Sequence, residues 1–72
     1  MKIGAAKIQK LICEQTPVTV NGKTMTCENG DGVSVLHYDK HRLTLKTEQF
    51  DWNKRGVWKD ICDKVNAHFK IQ

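Results

Sequence analysis

The sequence predicts a small α+β domain of two layers, α-β-β-β-β-α in order, in which a four-stranded antiparallel meander carries both helices on one face. Three observations predict it. One segment at each end of the chain repeats its apolar residues with the period of a helix. Between them lie four short β-prone runs joined by compact turns, and strands joined in this way pair antiparallel. Because each helix is apolar on one side only, a single sheet face can bury both. With 72 residues, we expect one domain over residues 1–72.

The first predicted element is a helix over residues 3–15. Ile8, Leu11 and Ile12 fall on one helical face, and lysines fall on another. Pro17 follows directly, at a position where helices end. The apolar face is therefore predicted to pack on the sheet.

The clearest local pattern is a β-hairpin, in which two alternating β-prone runs flank Asn21 and Gly22. A type I′ turn needs positive φ at both central residues, and Asn-Gly tolerates this best. The turn pairs Val20 with Lys23. The hairpin residues predicted to face the core are Val18, Val20, Met25 and Cys27, and those predicted to face outward are Thr19, Thr24 and Thr26.

A third strand over residues 33–38 and a fourth over residues 43–48 leave the register between them open. A three-residue loop pairs Val35 with Leu45, whereas a two-residue loop pairs Leu36 with Leu43. We favour the three-residue loop, because it places four aliphatic residues on one face. The predicted core-facing residues of these strands are Val33, Val35, Leu43 and Leu45.

The favoured register leaves an outer sheet face that is more apolar than one that only meets water. It is predicted to carry Ser34 together with five candidate partner-binding residues. These are Leu36, Tyr38, Arg42, Thr44 and Lys46. An exposed patch that combines an aromatic, an aliphatic and cations is typical of an interface.

The last predicted element is a helix over residues 54–69, with Trp58 as its central core aromatic because it shares a stripe with Ile61 and Val65. Phe50 and Trp52 lie outside this periodicity. We favour an interpretation in which they cover one end of the sheet as a hydrophobic plug. The alternative is an exposed aromatic-basic anchor, a composition typical of binding hot spots.

The net charge is +4, and residues 40–59 carry six basic side chains against two acidic ones. Such asymmetry attracts acidic partners. The N-terminus of the last helix also favours phosphate. The candidate residues of this basic corner are Lys40, His41, Phe50, Trp52, Lys54, Arg55 and Lys59.

The sequence carries no motif for catalysis, cofactor binding or phosphate binding. Cys13, Cys27 and Cys62 are too far apart in sequence for paired zinc ligands, and an odd number argues against a disulfide framework. We therefore expect no catalytic residue, no metal and no cofactor. Free thiols and the lack of a secretory leader indicate the cytoplasm, and no apolar run is long enough for a membrane span.

These observations favour a non-enzymatic binding module. We expect its partner to be another protein, which would make the chain an adaptor or an inhibitor, of the kind that phages and other mobile elements encode. The alternative is a nucleic-acid-binding domain that uses the basic turn and the basic start of the last helix. A homodimer is a further alternative, and no membrane partner is expected.

Overall fold

Two helices enclose four consecutive strands along the chain, in a computed structural model that describes residues 2–72. The helices are α1 (Ala5–Cys13) and α2 (Val57–His68). The strands are β1 (Val18–Val20), β2 (Lys23–Gly30), β3 (Val33–Tyr38) and β4 (His41–Lys46), and a 3₁₀ helix (Thr47–Gln49) follows them. The strands pair antiparallel in the order β1-β2-β3-β4, so the predicted α+β meander is confirmed.

Both helices pack on the same face of the sheet and share one core with it. Ile8 and Leu11 of α1 are fully buried, as are Ile61 and Val65 of α2. The sheet residues in the same apolar cluster are Val20, Met25, Cys27, Leu36, Tyr38, Leu43 and Leu45. Among residues 2–72, no helix or strand covers the opposite face of the sheet. Neither helix is long and apolar enough, among residues 2–72, to cross a lipid bilayer.

The first hairpin has the predicted register. Asn21 and Gly22 have φ of 52° and 81°, so both occupy the left-handed region that a type I′ turn requires. Val20 pairs with Lys23 across this turn. The inward residues predicted from the alternation are buried or half-buried, and the three threonines are exposed.

The register that we favoured for β3 and β4 is wrong. A two-residue turn joins these strands, so Leu36 lies opposite Leu43 and Tyr38 lies opposite His41. Asp39 makes the turn short enough because it adopts a φ of 57°, which aspartate tolerates better than most residues.

The shift by one residue exchanges the two faces of β3. Leu36 is 0% exposed and Tyr38 is 7% exposed, whereas Val33 and Val35 are only half-buried on the outer face. A leucine and a tyrosine bury more apolar surface than two valines, which favours this register. The polar atom that is buried with them, the hydroxyl oxygen of Tyr38, has a hydrogen-bond partner in the core. The Tyr38 hydroxyl donates to the carbonyl of Val20 at 2.8 Å.

Two features of α2 also differ from the prediction. Trp58 is half-buried at the edge of the core, and the buried aromatic ring that contacts Tyr38 is Phe69, with 5.5 Å between ring centroids. The polar residue Asn66 of the same helix is buried and bonds the backbone of Ile3. The helix begins at Val57, three residues later than predicted, so its buried stripe starts with Val57 and not with Trp58.

Candidate functional site

The predicted sheet-face site does not exist as one surface. Leu36 and Tyr38 belong to the core and are inaccessible to a partner. Arg42, Thr44 and Lys46 are exposed on the outer face of β4, as predicted. The outer-face residues of β3 beside them are Val33, Val35 and His37.

The predicted basic corner is divided between the two ends of the sheet. Lys40 and His41 lie at the β3–β4 turn, where β4 begins. Phe50 and Trp52 lie beyond the other end of β4. The five steps between successive residues of β4, at about 3.3 Å each, separate the two groups by roughly 17 Å. The residues therefore cannot contact one compact ligand together.

Ion pairs engage two of the basic residues at the start of α2. The Lys54 ammonium lies 2.7 Å from a carboxylate oxygen of Asp60. That hydrogen bond is the main reason why the pKa of Lys54 is raised. Lys59 pairs with Asp63 at 3.0 Å. Arg55 is exposed and, within residues 2–72, belongs to no ion pair, so it is the cation that this segment leaves open to a partner.

Trp52 is the only large apolar side chain among residues 2–72 that is classed as exposed, at 46%. Its position is nevertheless fixed. The indole Nε1–H donates to the carbonyl of Thr47 at 2.9 Å. The ring meets Trp58 edge to face at 5.6 Å and Phe50 at 6.2 Å between centroids. Phe50 packs against the core, as the hydrophobic plug predicts. Trp52 is exposed, as the alternative of an exposed aromatic predicts.

Trp52 forms one wall of a small apolar cleft at the end of the sheet, which we call the Trp52 cleft. Its volume is about 70 Å³. The apolar residues that line it are Ile12, Val33, Leu45, Phe50, Trp52 and Ile61, and the polar ones are Ser34, Lys46 and Thr47. Elements that are distant in sequence, namely α1, β3, β4 and α2, thus each contribute to one cleft.

A chain of hydrogen bonds holds the wall of the cleft that α1 and β3 form. Asn29 donates through Nδ2 to the carbonyl of Ile12 at 2.7 Å. Its Oδ1 accepts from the Ser34 hydroxyl at 2.8 Å and from the Cys27 thiol at 3.3 Å. Ser34 is thus satisfied on the inner face of the sheet, which corrects its predicted outward position. The end of α1 is fixed against the sheet as a result.

The residues with reactive side chains lie apart from the cleft or are buried. Cys13 is exposed, whereas Cys27 and Cys62 are buried, and burial is the main cause that raises the pKa of both buried thiols. The His68 ring nitrogen Nε2 lies 2.9 Å from the carbonyl of Arg42. Within residues 2–72, no three His, Cys, Asp or Glu side chains are grouped in a way that could hold a metal ion.

Sequence reasoning missed Ile12 and Val33 as residues that line the cleft. The signal that could have found them is the two-residue β3–β4 turn. That register pairs Val33 with Lys46, and it therefore brings the β2–β3 turn next to Thr47. Comparison of the chain with protein-family profiles, curated proteins and solved structures finds no match.

Proposed function

We propose that this chain is a non-enzymatic module that binds another protein through the Trp52 cleft. The observation that carries the proposal is the position of Trp52, a large aromatic that is 46% exposed yet held in place at the rim of an apolar cleft. Tryptophan and arginine are the residues most enriched in binding hot spots, and Arg55 lies three residues further along the chain.

Order in the unbound state supports the proposal. A tryptophan that must be immobilised on binding loses side-chain entropy, and that loss weakens the complex. Here the bond to Thr47 and the contact with Trp58 already restrict the ring. Binding would therefore gain the burial of the exposed part of the indole at a small entropic cost.

The size of the Trp52 cleft favours a protein over a small-molecule ligand. Pockets that hold cofactors or drug-sized ligands have volumes of about 300–1,000 Å³. The cleft, at about 70 Å³, is several times smaller. A module of this kind would serve as an adaptor or an inhibitor, of the sort carried by phages. Its three free cysteines are consistent with the cytoplasm.

The test is an affinity capture from a lysate of the organism that encodes the protein, treated with nuclease. Three baits are compared: the wild type, Trp52→Ala, and Lys40→Ala as a control at the far end of the sheet. We expect the wild type and Lys40→Ala to retain the same protein, and Trp52→Ala to bind it at least about thirtyfold more weakly, as a hot spot of 2 kcal/mol or more requires. If Trp52→Ala keeps its far-UV circular dichroism and still retains the partner equally, the cleft is not the binding site.

A second candidate function, nucleic-acid binding, is favoured by a different observation. Lys2, Lys7 and Lys70 belong to no ion pair within residues 2–72, and they line two neighbouring clefts that share Lys2. Phosphate contacts made by such lysines weaken steeply between about 50 and 200 mM salt. Binding of single- or double-stranded probes at low salt that is lost in Lys2→Ala/Lys7→Ala would favour this candidate. A nuclease-resistant protein partner, captured through Trp52, would favour the first. An increase in apparent mass on sedimentation without any added partner would indicate a homodimer.

A further inference from the structure

Two lysines from different elements stand beside the Trp52 cleft. Lys46 is the last residue of β4 and, of residues 2–72, the single charged residue that lines the cleft. Lys64 lies on α2 one helical turn after Ile61, which also lines the cleft, so these two side chains are neighbours on the helix surface. The Lys64 ammonium is 5.9 Å from the centroid of the Phe50 ring, another part of the lining. We call Lys46 and Lys64 the cleft lysines.

Neither cleft lysine has an anionic partner within residues 2–72. The ion pairs of this part of the chain engage Lys23, Lys54 and Lys59. The Lys64 ammonium lies over an aromatic ring instead, and at an exposed site that attraction is weak. Both cleft lysines are exposed, and each ammonium carries rotatable N–H donors on a flexible stem. Carboxylates of a bound protein can therefore reach both.

Two acidic residues that are near the cleft in sequence already have partners. Asp60 pairs with Lys54 at 2.7 Å. Asp51 accepts through Oδ1 from the backbone N–H of Asn53 at 3.0 Å, a bond that holds the carboxylate against its own turn. No acidic side chain among residues 2–72 lines the cleft itself. The charge that the structure places at the cleft is therefore positive.

Asp31 and Glu48 are the acidic residues that compete with this positive charge. They line an adjoining surface, to which Lys46 also contributes. Neither carboxylate forms an ion pair with Lys46, as far as residues 2–72 are concerned. A partner drawn to these two acids would be cationic, so the test must offer a cationic peptide beside an acidic one.

We propose that the Trp52 cleft takes one aliphatic side chain of a partner protein, and that aspartate or glutamate residues next to this side chain bind Lys46 and Lys64. This inference rests on the proposed function and adds the chemistry of the partner. Charge complementarity selects an acidic segment, because the cations that line or adjoin the cleft have no anion of their own. The apolar lining and the volume of about 70 Å³ suit a single aliphatic group. Neither lysine belongs to the basic corner that the sequence predicts.

The test uses the full chain labelled with nitrogen-15 and three probe peptides, acetylated and amidated at their ends: Glu-Glu-Leu-Glu-Glu, Lys-Lys-Leu-Lys-Lys and Glu-Glu-Ser-Glu-Glu. Charges stand on both sides of the central residue, so no direction of binding is assumed. The reporter is the indole N–H resonance of Trp52, which is assigned with a Trp58→Phe variant. Titrations run at low salt to concentrations of about 5 mM, because single-anchor peptides bind at the millimolar level.

Two double variants with the same change in net charge separate local recognition from the general attraction of an acidic peptide to a basic protein. Lys46→Gln/Lys64→Gln neutralises the cleft lysines. Lys7→Gln/Lys40→Gln removes two other exposed cations, of which Lys7 lines a different cleft and Lys40 lies in the β3–β4 turn. All four positions are exposed, so neither variant disturbs the core.

We expect the glutamate–leucine peptide to shift the Trp52 resonance with an affinity at least about threefold higher than that of the lysine peptide, the difference that one or two exposed charge pairs supply. The serine peptide should bind at least about tenfold more weakly than the glutamate–leucine peptide, because it buries no aliphatic side chain. Lys46→Gln/Lys64→Gln should remove the preference for glutamate over lysine, and Lys7→Gln/Lys40→Gln should retain it.

Four results would overturn the inference. One is equal or tighter binding of the lysine peptide, which would show that Asp31 and Glu48 dominate recognition. Another is a preference for glutamate that the two double variants lower equally, or that neither lowers. The third is a serine peptide that binds as tightly as the glutamate–leucine peptide, and the fourth is the absence of any shift with all three peptides. None of these affects capture of a partner protein through Trp52, so the proposed function is judged by its own experiment.

Discussion

Asn66 holds the backbone of Ile3 with both ends of its side-chain amide. Its Oδ1 accepts from the N–H of Ile3 at 3.0 Å, and its Nδ2 donates to the carbonyl of Ile3 at 3.1 Å. In a sheet, a neighbouring strand bonds the N–H and the carbonyl of a residue in this way. Here the side chain of a helix residue bonds both groups of Ile3. Both residues are buried, so water cannot replace either bond. The pair fixes the segment before α1 against α2.

Replacing Asn66 should destabilise the fold. Asn66→Ala leaves the buried N–H and carbonyl of Ile3 without partners, and we expect the free energy of unfolding to fall by about 1–3 kcal/mol. The measurement is urea unfolding followed by circular dichroism. Gln9→Ala is the matched control, because it removes an exposed amide from the other helix, and it should change stability by less than about 0.5 kcal/mol. Equal effects of the two substitutions would contradict the role of Asn66.

The register of β3 can be tested by two substitutions at adjacent positions. Leu36 is fully buried, and Leu36→Ala should lower the free energy of unfolding by about 2–5 kcal/mol. Val35 is only half-buried on the outer face, and Val35→Ala should cost less than about 1 kcal/mol. Urea midpoints at one pH give both values. A larger loss for Val35→Ala than for Leu36→Ala would restore the three-residue turn.

The same strand explains how far the fold can be derived from sequence. The Asn21-Gly22 hairpin is determined locally, since the turn type and the alternation agree, and its register is correctly predicted. In β3, apolar residues occur on both faces, so alternation cannot choose between the two registers. The deciding interactions are distant in sequence, such as the hydrogen bond from Tyr38 to Val20. They become visible only when the strands are assembled.

The candidate site shows the same division. The sequence indicates that Phe50 and Trp52 lie outside the helical period, and it offers both a plug and an anchor. Phe50 packs against the core, as the plug requires, and Trp52 is exposed, as the anchor requires. The sequence does not indicate that Lys40 and the start of α2 are at opposite ends of the sheet. It also does not indicate that Gly32 binds Thr47, because that contact depends on the correct register of β3 and β4.

Two glycines should respond in opposite ways to the same substitution. Gly4 is the N-cap of α1, with extended backbone and no atom within 4 Å of an added Cβ, and α1 lacks a side-chain cap. Gly4→Ser supplies a cap oxygen and restricts the unfolded chain, so we expect a gain of about 0.5–1 kcal/mol. Gly22 has a φ of +81°, and Gly22→Ser should cost about 1–2 kcal/mol. Thermal unfolding of both variants provides the check; a loss in Gly4→Ser would show that the cap does not form.

The three thiols should differ in their rate of alkylation in the native protein. Cys13 is exposed, whereas Cys27 and Cys62 are buried. Iodoacetamide at pH 8 should therefore add one group quickly, and two more only at the rate at which the fold opens. Intact-mass spectrometry counts the groups. Cys13→Ser should eliminate the fast addition, and rapid modification of all three thiols in the wild type would contradict the burial of β2 and α2 at these positions.

The buried thiols should also make the fold less stable in alkali. Burial raises the pKa of Cys27 and Cys62 above the ordinary value of 9.0, so the unfolded state releases these two protons at a lower pH than the folded state does. Below pH 9 both states keep the protons, and stability is unaffected. As the pH rises through 9, the unfolded state binds fewer protons, and the free energy of unfolding falls.

Urea unfolding in the presence of a reductant, at several pH values between about 7.5 and 10, measures this loss. Other groups also titrate in this range, so the wild type is compared with Cys27→Ala/Cys62→Ala. The double variant starts from a lower stability because it loses two buried side chains, but its stability should fall less steeply above pH 9. The difference between the two slopes isolates the thiols, because it removes every titration that the two proteins share. Parallel curves would mean that both thiols ionise as readily in the folded chain as in the unfolded one, and that water therefore reaches β2 and α2 at these positions.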